Sequence, residues 1–396
     1  MSKDRTETKM LVIRGKHYLS GKLTDFYLSE AEGMVAICEA GDAQPVLGGD
    51  EFWVAPGLID LQVNGYQGRD FVSGQTTIED VVEVAEKLVN AGVTGFCPTV
   101  TTNSPENMER SLKAIGRACD RGGVARDRVL GIHLEGPYIS SEDGPRGAHP
   151  LEHVREPDWD EFMRFQDACG GRIRLITLAP EKQGALDFIC KARKAGVLIA
   201  IGHHAATGAQ IDAAVSAGAV LSTHLGNGAH GQLPRHPNYI WDQLAHDGLM
   251  ASMIVDGHHL APGVVKSFFR VKGAGRLILV SDVVAAAGLG PGRHTLMGQE
   301  IDVLEDESVK LSGTPYLAGS SLKLCDAVAN MMLYAGATLA QAIQMATENP
   351  AILLNLENER GFLRIGNRPD LTVFREKGMR LGLAFTIAEG VVRYEA

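Results

Sequence analysis

Four apolar runs of this chain end in a side chain that can bind a metal ion or carry a proton. The final residues of these runs are Glu135, His203, His224 and Asp282. The runs cover residues 129–135, 197–203, 220–224 and 277–282. An unpaired polar group at the end of a buried run costs roughly 2–7 kcal/mol, and a charge costs more. Four such ends in one chain predict a single site that holds a metal ion and its substrate.

Three of these residues form an oxygen and nitrogen ligand set. Glu135, His203 and His224 leave a coordination position open for water or substrate, which is typical of a catalytic zinc site. A lone buried histidine is more often a hydrogen-bonded core residue, but three strand ends together favour a metal. We expect one divalent ion per subunit, zinc first, with iron, cobalt or manganese as alternatives. His204 is expected to tune the site or to point away, because adjacent strand residues face opposite sides.

Asp282 is the candidate acid–base residue. A carboxylate beside a metal site is positioned to act first as general base and then as general acid towards a leaving group. The alternative is an N-cap aspartate for a helix that begins within residues 283–288.

The runs belong to a longer alternation of strands and helices, which predicts a (β/α)₈ TIM-like barrel of the α/β class. Eight strands are predicted at 58–63, 94–100, 129–134, 173–178, 197–201, 220–223, 250–255 and 277–281. Helices are predicted at 77–90, 184–195, 208–217 and 261–271. The alternative is a doubly wound open sheet, but no G-x-G-x-x-G motif opens a helix after the first strand. Barrel enzymes carry their catalytic groups at the C-terminal ends of the strands, where these polar residues lie.

The sequence pattern differs at both ends of the chain, where short strand-like stretches are separated by glycines. They predict a small β-sandwich domain formed by residues 1–55 and 361–396, and a hydrolase barrel over residues 56–360.

The net charge of −10 argues against nucleic-acid or anionic-membrane partners. No apolar stretch reaches the length of a membrane span and the start of the sequence lacks a signal-peptide core, so we expect a cytoplasmic protein. The six cysteines lack a C-x-x-C pair and are expected to be reduced.

These residues lie in strings that resemble the N-acetylglucosamine-6-phosphate deacetylases of the amidohydrolase superfamily. The strings are 56–60 (PGLID), 133–137 (HLEGP), 147–149 (GAH), 201–203 (IGH), 223–227 (THLGN), 256–259 (DGHH), 280–282 (VSD) and 318–321 (AGSS). The similarity continues through 349–351 (NPA) and 361–373. The order and spacing of the strings make the match specific.

The resemblance implies hydrolysis of the N-acetyl group of an amino-sugar phosphate, which yields acetate and a free amine. It implies that Glu135, His203 and His224 hold the metal, that Asp282 is the catalytic acid–base, and that His259 stabilises the oxyanion. It also implies a homodimer whose partner contributes to the phosphate pocket, with Arg235 as a candidate phosphate ligand. The implied substrate contacts are Ala148, His149, Asn227, Gly228, Arg235, His259, Leu317, Ala318 and Gly319.

Two segments depart from the pattern of the superfamily. Gln62 and Asn64 stand where many amidohydrolases carry H-x-H for a second metal, and amides are poor transition-metal ligands, so one metal is expected. Residues 227–231 (NGAHG) differ from the usual loop at the phosphate end, where His230 and His236 could add positive charge.

Two other functions remain open from the sequence. The chain could act on a different N-acyl amine, such as N-acetylgalactosamine 6-phosphate or an unphosphorylated substrate. A catalytically silent barrel that binds or assembles is the third interpretation, although such relatives usually lose a ligand or the catalytic carboxylate.

Overall fold

The computed structural model describes residues 10–41, 47–296, 299–314, 316–377 and 380–396. The strands are β1 (Met10–His17), β2 (Leu23–Ser29), β3 (Gly33–Glu39), β4 (Leu47–Pro56), β5 (Leu58–Val63), β6 (Gly65–Tyr66), β7 (Arg69–Asp70), β8 (Val93–Thr101), β9 (Ile132–Glu135), β10 (Ile173–Leu178), β11 (Leu198–Ile201), β12 (Ala219–Ser222), β13 (Met250–Met253), β14 (Leu277–Leu279), β15 (Gly292–Leu296), β16 (Gln299–Val303), β17 (Val309–Leu311), β18 (Leu371–Lys377), β19 (Arg380–Ala388) and β20 (Val391–Glu395).

The helices are α1 (Ile78–Lys87), α2 (Pro105–Arg121), α3 (Val124–Arg128), α4 (Trp159–Ala168), α5 (Ala185–Lys194), α6 (Gly208–Ala217), α7 (Tyr239–Ala245), α8 (Pro262–Lys272), α9 (Leu324–Ala335), α10 (Leu339–Ala346) and α11 (Glu348–Leu353). Three short 3₁₀ turns lie at Leu88–Ala91, Leu151–His153 and Ala274–Arg276. Within the described ranges, no helix is long and apolar enough to cross a membrane.

Eight parallel strands form the predicted barrel. They are hydrogen-bonded in the order β5, β8, β9, β10, β11, β12, β13 and β14. The backbone just beyond β14 closes the ring, because Asp282 N donates to Gln62 O at 3.0 Å and Asn64 N donates to Val283 O at 2.8 Å. The barrel is therefore confirmed and the open-sheet alternative is excluded.

Local sequence explains the helices that surround the barrel. Helix α1 begins at a capping box, in which the Thr77 side chain accepts from Asp80 N and the Asp80 side chain accepts from Thr77 N. Thr207 and Gln210 form the same motif at the start of α6. The helices predicted at 77–90, 184–195, 208–217 and 261–271 correspond to α1 with its 3₁₀ extension, α5, α6 and α8.

The two ends of the chain meet in one seven-stranded sheet, with the order β20, β19, β18, β4, β1, β2, β3. Strand β4 joins the two ends, since it pairs parallel to β1 and antiparallel to β18. Phe26 and Met34 from one end share a buried apolar cluster with Val373 and Phe385 from the other. The predicted small β domain is confirmed, while the exact domain boundaries stay a prediction.

A three-stranded antiparallel sheet, β15–β17, follows the last barrel strand and was not predicted from the sequence. Ile301 and Val309 of this sheet pack against Val284 and Ala318. Ser320 N donates to Asp282 O at 2.9 Å, which brings the segment after β17 back to the barrel mouth. The insertion thereby places residues 317–319 beside Asp282.

Candidate active site

A cavity of about 310 Å³ opens at the C-terminal ends of the barrel strands. This volume lies at the lower end of the range for small-molecule sites, roughly 300–1,000 Å³. Every predicted site residue except Arg235 lines it: Glu135, Ala148, His149, His203, His224, Asn227, Gly228, His259, Asp282, Leu317, Ala318 and Gly319. Residues that are far apart in sequence therefore converge on one cavity.

The three predicted ligands form a tight triangle of donor atoms. His203 Nε2 lies 3.1 Å from Glu135 Oε1 and 3.1 Å from His224 Nε2, and His224 Nε2 lies 2.9 Å from Glu135 Oε1. Three ligands about 2.0–2.1 Å from one tetrahedral ion would stand about 3.3 Å apart. Two imidazole nitrogens and a carboxylate oxygen at this spacing fit a divalent metal ion.

Neighbouring groups fix the ring of His203 and the adjacent ring of His149. The Pro145 carbonyl accepts from His203 Nδ1 at 2.8 Å, which leaves the Nε2 lone pair directed at the triangle. His149 packs edge-on against His203, with ring centroids 4.3 Å apart, and its Nδ1 is held 2.8 Å from Thr102 Oγ1. Burial lowers the pKa of His149 to about 3, so its ring is neutral at pH 7. Glu135, His149 and His203 also bring ligand atoms within 4.8 Å of one another, which makes His149 an additional nitrogen beside the site.

The backbone is left-handed at three of the four predicted strand ends. His203, His224 and Asp282 have φ values of 51°, 27° and 52°. This region costs a non-glycine residue roughly 1–3 kcal/mol, and such residues cluster at active sites. The turn at each position directs the side chain from the strand into the cavity.

The charges of the triangle are strongly coupled. Burial opposes ionisation of Glu135, but hydrogen bonds from His203 and His224 outweigh it and hold the pKa of Glu135 well below its usual value. Burial also disfavours a charged His224, yet the Glu135 carboxylate raises the pKa of this imidazole. A divalent cation would take the place of protons at this centre, since metal ligands must be deprotonated to bind.

Asp282 is buried beside the triangle, and two amides orient it. Asn64 Nδ2 and Gln62 Nε2 both donate to Asp282 Oδ1, at 2.6 Å and 3.0 Å. Burial, followed by the negative charge of Glu135, raises the pKa of Asp282 to about 6. Residues 285–288 form a turn and no helix follows directly, so Asp282 does not cap a helix. Both amides bind Oδ1, so the second carboxylate oxygen of Asp282 remains available for proton transfer.

His259 lines the same cavity as this carboxylate. Its Nδ1 lies 2.6 Å from Asp256 Oδ2, and its backbone N–H donates to Asp256 Oδ1 at 2.8 Å. Nε2 of His259 has no hydrogen-bond partner among the described residues. In the imidazolium form both ring nitrogens donate, so Nδ1 can stay on Asp256 while Nε2–H serves another acceptor.

The cavity lining carries little positive charge. None of the described residues that line the cavity is Lys or Arg. Arg235 is exposed on the segment between β12 and α7, outside the cavity lining. His230, on the same segment, lies 3.1 Å from the Glu142 carboxylate, and His236 is exposed. His204 turns away from the triangle and packs on Tyr239, with ring centroids 5.3 Å apart.

The sequence did not reveal several contacts that shape the site. Neither the Thr102 hydroxyl nor the Pro145 carbonyl leaves a pattern that identifies it as a partner of a site histidine. The i, i+3 spacing of Asp256 and His259 is a signal that could have revealed their pairing. Gln62 and Asn64 were noted as poor metal ligands, and the structure shows their donors on Asp282.

Known proteins are similar to this chain in sequence and architecture. The sequence pattern of the Amidohydrolase family matches residues 53–393. An N-acetylglucosamine-6-phosphate deacetylase from Bos taurus is 36% identical over 329 residues, which are 81% of this chain and 79% of the relative. An N-acetylgalactosamine-6-phosphate deacetylase from Escherichia coli O157:H7 is 34% identical over 363 residues, 90% of this chain and 93% of the relative.

A solved structure extends the comparison to three dimensions. A mutant N-acetyl-D-glucosamine-6-phosphate deacetylase from Mycobacterium smegmatis, in complex with N-acetyl-D-glucosamine-6-phosphate, superposes with a TM-score of 0.88 at 29% identity. The match covers 97% of this chain and 99% of that protein. With the family match and the relatives above, it shows that this chain is a hydrolytic enzyme that belongs to the amidohydrolase family.

Proposed function

We propose that this chain hydrolyses the N-acetyl group of an amino-sugar phosphate, with N-acetylglucosamine 6-phosphate as substrate and glucosamine 6-phosphate and acetate as products. The observation that carries the proposal is the ligand triangle of Glu135, His203 and His224 beside a buried Asp282 in one cavity. The relatives' names supply the substrate class. One divalent ion per subunit fits the triangle, and we propose zinc because two imidazoles and one carboxylate suit it.

Asp282 carries the proton in the proposed reaction. A divalent ion bound at the triangle would polarise the amide carbonyl and lower the pKa of water. The free oxygen of Asp282 takes a proton from the attacking water, whose oxygen adds to the carbonyl carbon. When the carbon–nitrogen bond breaks, Asp282 returns that proton to the departing amine. Acetic acid and the free amine result, the acid releases its remaining proton to become acetate, and Asp282 is a carboxylate again.

His259 is the proposed oxyanion donor. Charge develops on the carbonyl oxygen as water adds, and a donor fixed in advance stabilises that charge most effectively. Asp256 holds the imidazole from behind, so Nε2–H can face the cavity without reorganisation.

The panel of substrates that tests the proposal consists of N-acetylated sugars with and without a phosphate group. We expect acetate release to be fastest with N-acetylglucosamine 6-phosphate. N-Acetylgalactosamine 6-phosphate is the second candidate, because the relative with that name matches 90% of this chain. An absence of acetate release from every member by metal-loaded protein would contradict the proposal.

Replacement of Asn64 tests the orientation of Asp282. Asn64→Leu removes the 2.6 Å donor to Asp282 Oδ1 at nearly constant volume. Hydrogen bonds to charged groups contribute about 1.5–3 kcal/mol, so we expect kcat to fall about tenfold or more with KM little changed. Steady-state kinetics check this, and Asn64→Gln, which keeps an amide donor, should lose less. An unchanged kcat would show that Asn64 does not orient the carboxylate.

Recognition of the phosphate group is proposed to require a second subunit. The cavity lining lacks Lys and Arg among the described residues, whereas Arg235 is exposed. We propose a homodimer in which Arg235 reaches the phosphate bound in the neighbouring subunit, since its guanidinium can bind two phosphate oxygens.

The cytoplasmic location stays a prediction.

Arg235→Ala tests this role. We expect KM for the phosphorylated sugar to rise about tenfold or more, because a charge-assisted hydrogen bond contributes about 1.5–3 kcal/mol. The slow reaction with the unphosphorylated sugar should not change. Arg270→Ala, at another exposed arginine, is the matched control. Equal wild-type rates with phosphorylated and unphosphorylated sugars would refute phosphate recognition.

A further inference from the structure

A hydrogen-bond chain crosses the barrel interior directly beneath the ligand triangle. His133 Nδ1 lies 3.2 Å from the Leu61 carbonyl, and His133 Nε2 lies 2.8 Å from Thr177 Oγ1. Thr177 Oγ1 in turn lies 2.7 Å from Thr223 Oγ1. All three side chains are buried, and none of them lines the active-site cavity.

The direction of the chain follows from its ends. The Leu61 carbonyl can only accept, so Nδ1 of His133 carries the proton. In a neutral imidazole the second ring nitrogen carries a lone pair, so Nε2 of His133 accepts. The Thr177 hydroxyl therefore donates to His133, and the Thr223 hydroxyl donates to Thr177. Each of these polar atoms is then assigned as a donor or an acceptor, so the hydrogen-bond chain has a single arrangement of its protons.

The residues of this chain lie next to those that build the site. His133 precedes Glu135 by two positions on β9, and the two side chains point to the same side of the strand. Thr223 directly precedes His224, and Leu61 directly precedes Gln62. Thr177 is the cross-strand partner of Glu135, and its carbonyl accepts from Gly136 N at 3.0 Å.

We infer that His133, Thr177 and Thr223 are positioning residues that hold the strand ends of Glu135 and His224 at metal-binding distance. The inference rests on the metal centre of the proposed function and extends it to residues that touch neither metal nor substrate. Glu135 Oε1 and His224 Nε2 stand 2.9 Å apart on strands that are not neighbours in the barrel, since β10 and β11 lie between them. The chain from His133 to Thr223 spans the same strands one layer below. It therefore fixes the separation that the metal ion requires.

Two variants of Thr177 form the central test. Thr177→Val removes the hydroxyl at nearly constant volume, and Thr177→Ser keeps it. The measurement is the affinity for zinc ions alone, by competition with a chromophoric chelator, with folding monitored by circular dichroism. We expect Thr177→Val to bind zinc about tenfold or more weakly, the range found for groups that orient metal ligands, and Thr177→Ser to stay close to wild type.

Thr386→Val is the matched control for a lost buried hydroxyl. Its hydroxyl donates to the Val89 carbonyl at 2.7 Å in the terminal sheet, so its loss should leave zinc affinity unchanged. Thr223→Val breaks the same chain at its other link and replaces Thr177→Val if that variant does not fold. Wild-type zinc affinity in both valine variants would overturn the inference alone. A wild-type chain that binds no zinc would overturn the proposed function and the inference with it.

Discussion

Asp282→Asn is expected to lower kcat about a thousandfold while bound metal and fold stay unchanged. General acid–base catalysis contributes about 10²–10⁴-fold, and Asp282 performs two proton transfers in the proposed reaction. The asparagine oxygen can still accept from Asn64 and Gln62, so the local hydrogen bonds survive the change. What disappears is the group that takes a proton from water. Steady-state acetate release measures the effect.

Metal content and thermal unfolding of the same sample serve as controls for this variant. If kcat falls less than tenfold at unchanged metal content, Asp282 is not the acid–base residue. A large loss of activity together with a loss of metal would instead assign Asp282 to the metal site.

Glu135→Gln is expected to abolish metal binding and, with it, turnover. The carboxylate is the only anionic member of the triangle, and an amide oxygen is a much poorer ligand for zinc. Metal ions contribute several kcal/mol to such reactions, so the loss of kcat should be about a thousandfold or greater. Metal analysis and acetate release on one preparation check both parts of the expectation.

Glu181→Gln provides a matched control at another strand end. Glu181 is half-buried and follows β10, and its Oε1 accepts from Ala205 N at 2.7 Å, but it does not line the cavity. Glutamine can keep that hydrogen bond, so metal content and kcat should match wild type within about threefold. Full metal occupancy and activity in Glu135→Gln would contradict the assigned ligand set.

The barrel and the convergence of the ligand candidates were predictable because two regularities of the sequence agree. Buried runs separated by amphipathic helices determine the fold class, and a polar residue at the end of a run is placed at the barrel mouth by the fold itself. Glu135, His203 and His224 illustrate this, because strand ends far apart in sequence meet within 3.1 Å. The left-handed backbone at His203 and His224 was not predictable, since nothing in their residue type requires it.

Other parts depend on tertiary contacts that leave no periodic signal. The β15–β17 sheet is an insertion whose position beside Asp282 is set by packing of Ile301 and Val309 on Ala318. The amides of Gln62 and Asn64 meet Asp282 only because the first and last barrel strands close the ring. Arg235 is exposed, so the role proposed for it requires a neighbouring subunit.

The central claim is that a metal ion held by Glu135, His203 and His224 makes this chain a deacetylase. The most direct measurement is the rate of acetate release from N-acetylglucosamine 6-phosphate as zinc is titrated into metal-free protein. The account predicts a rate that rises in proportion to bound zinc and stops rising at one ion per chain, with acetate and amine formed in equal amounts. Equal rates in metal-free and metal-loaded protein, or no acetate at full occupancy, would contradict it.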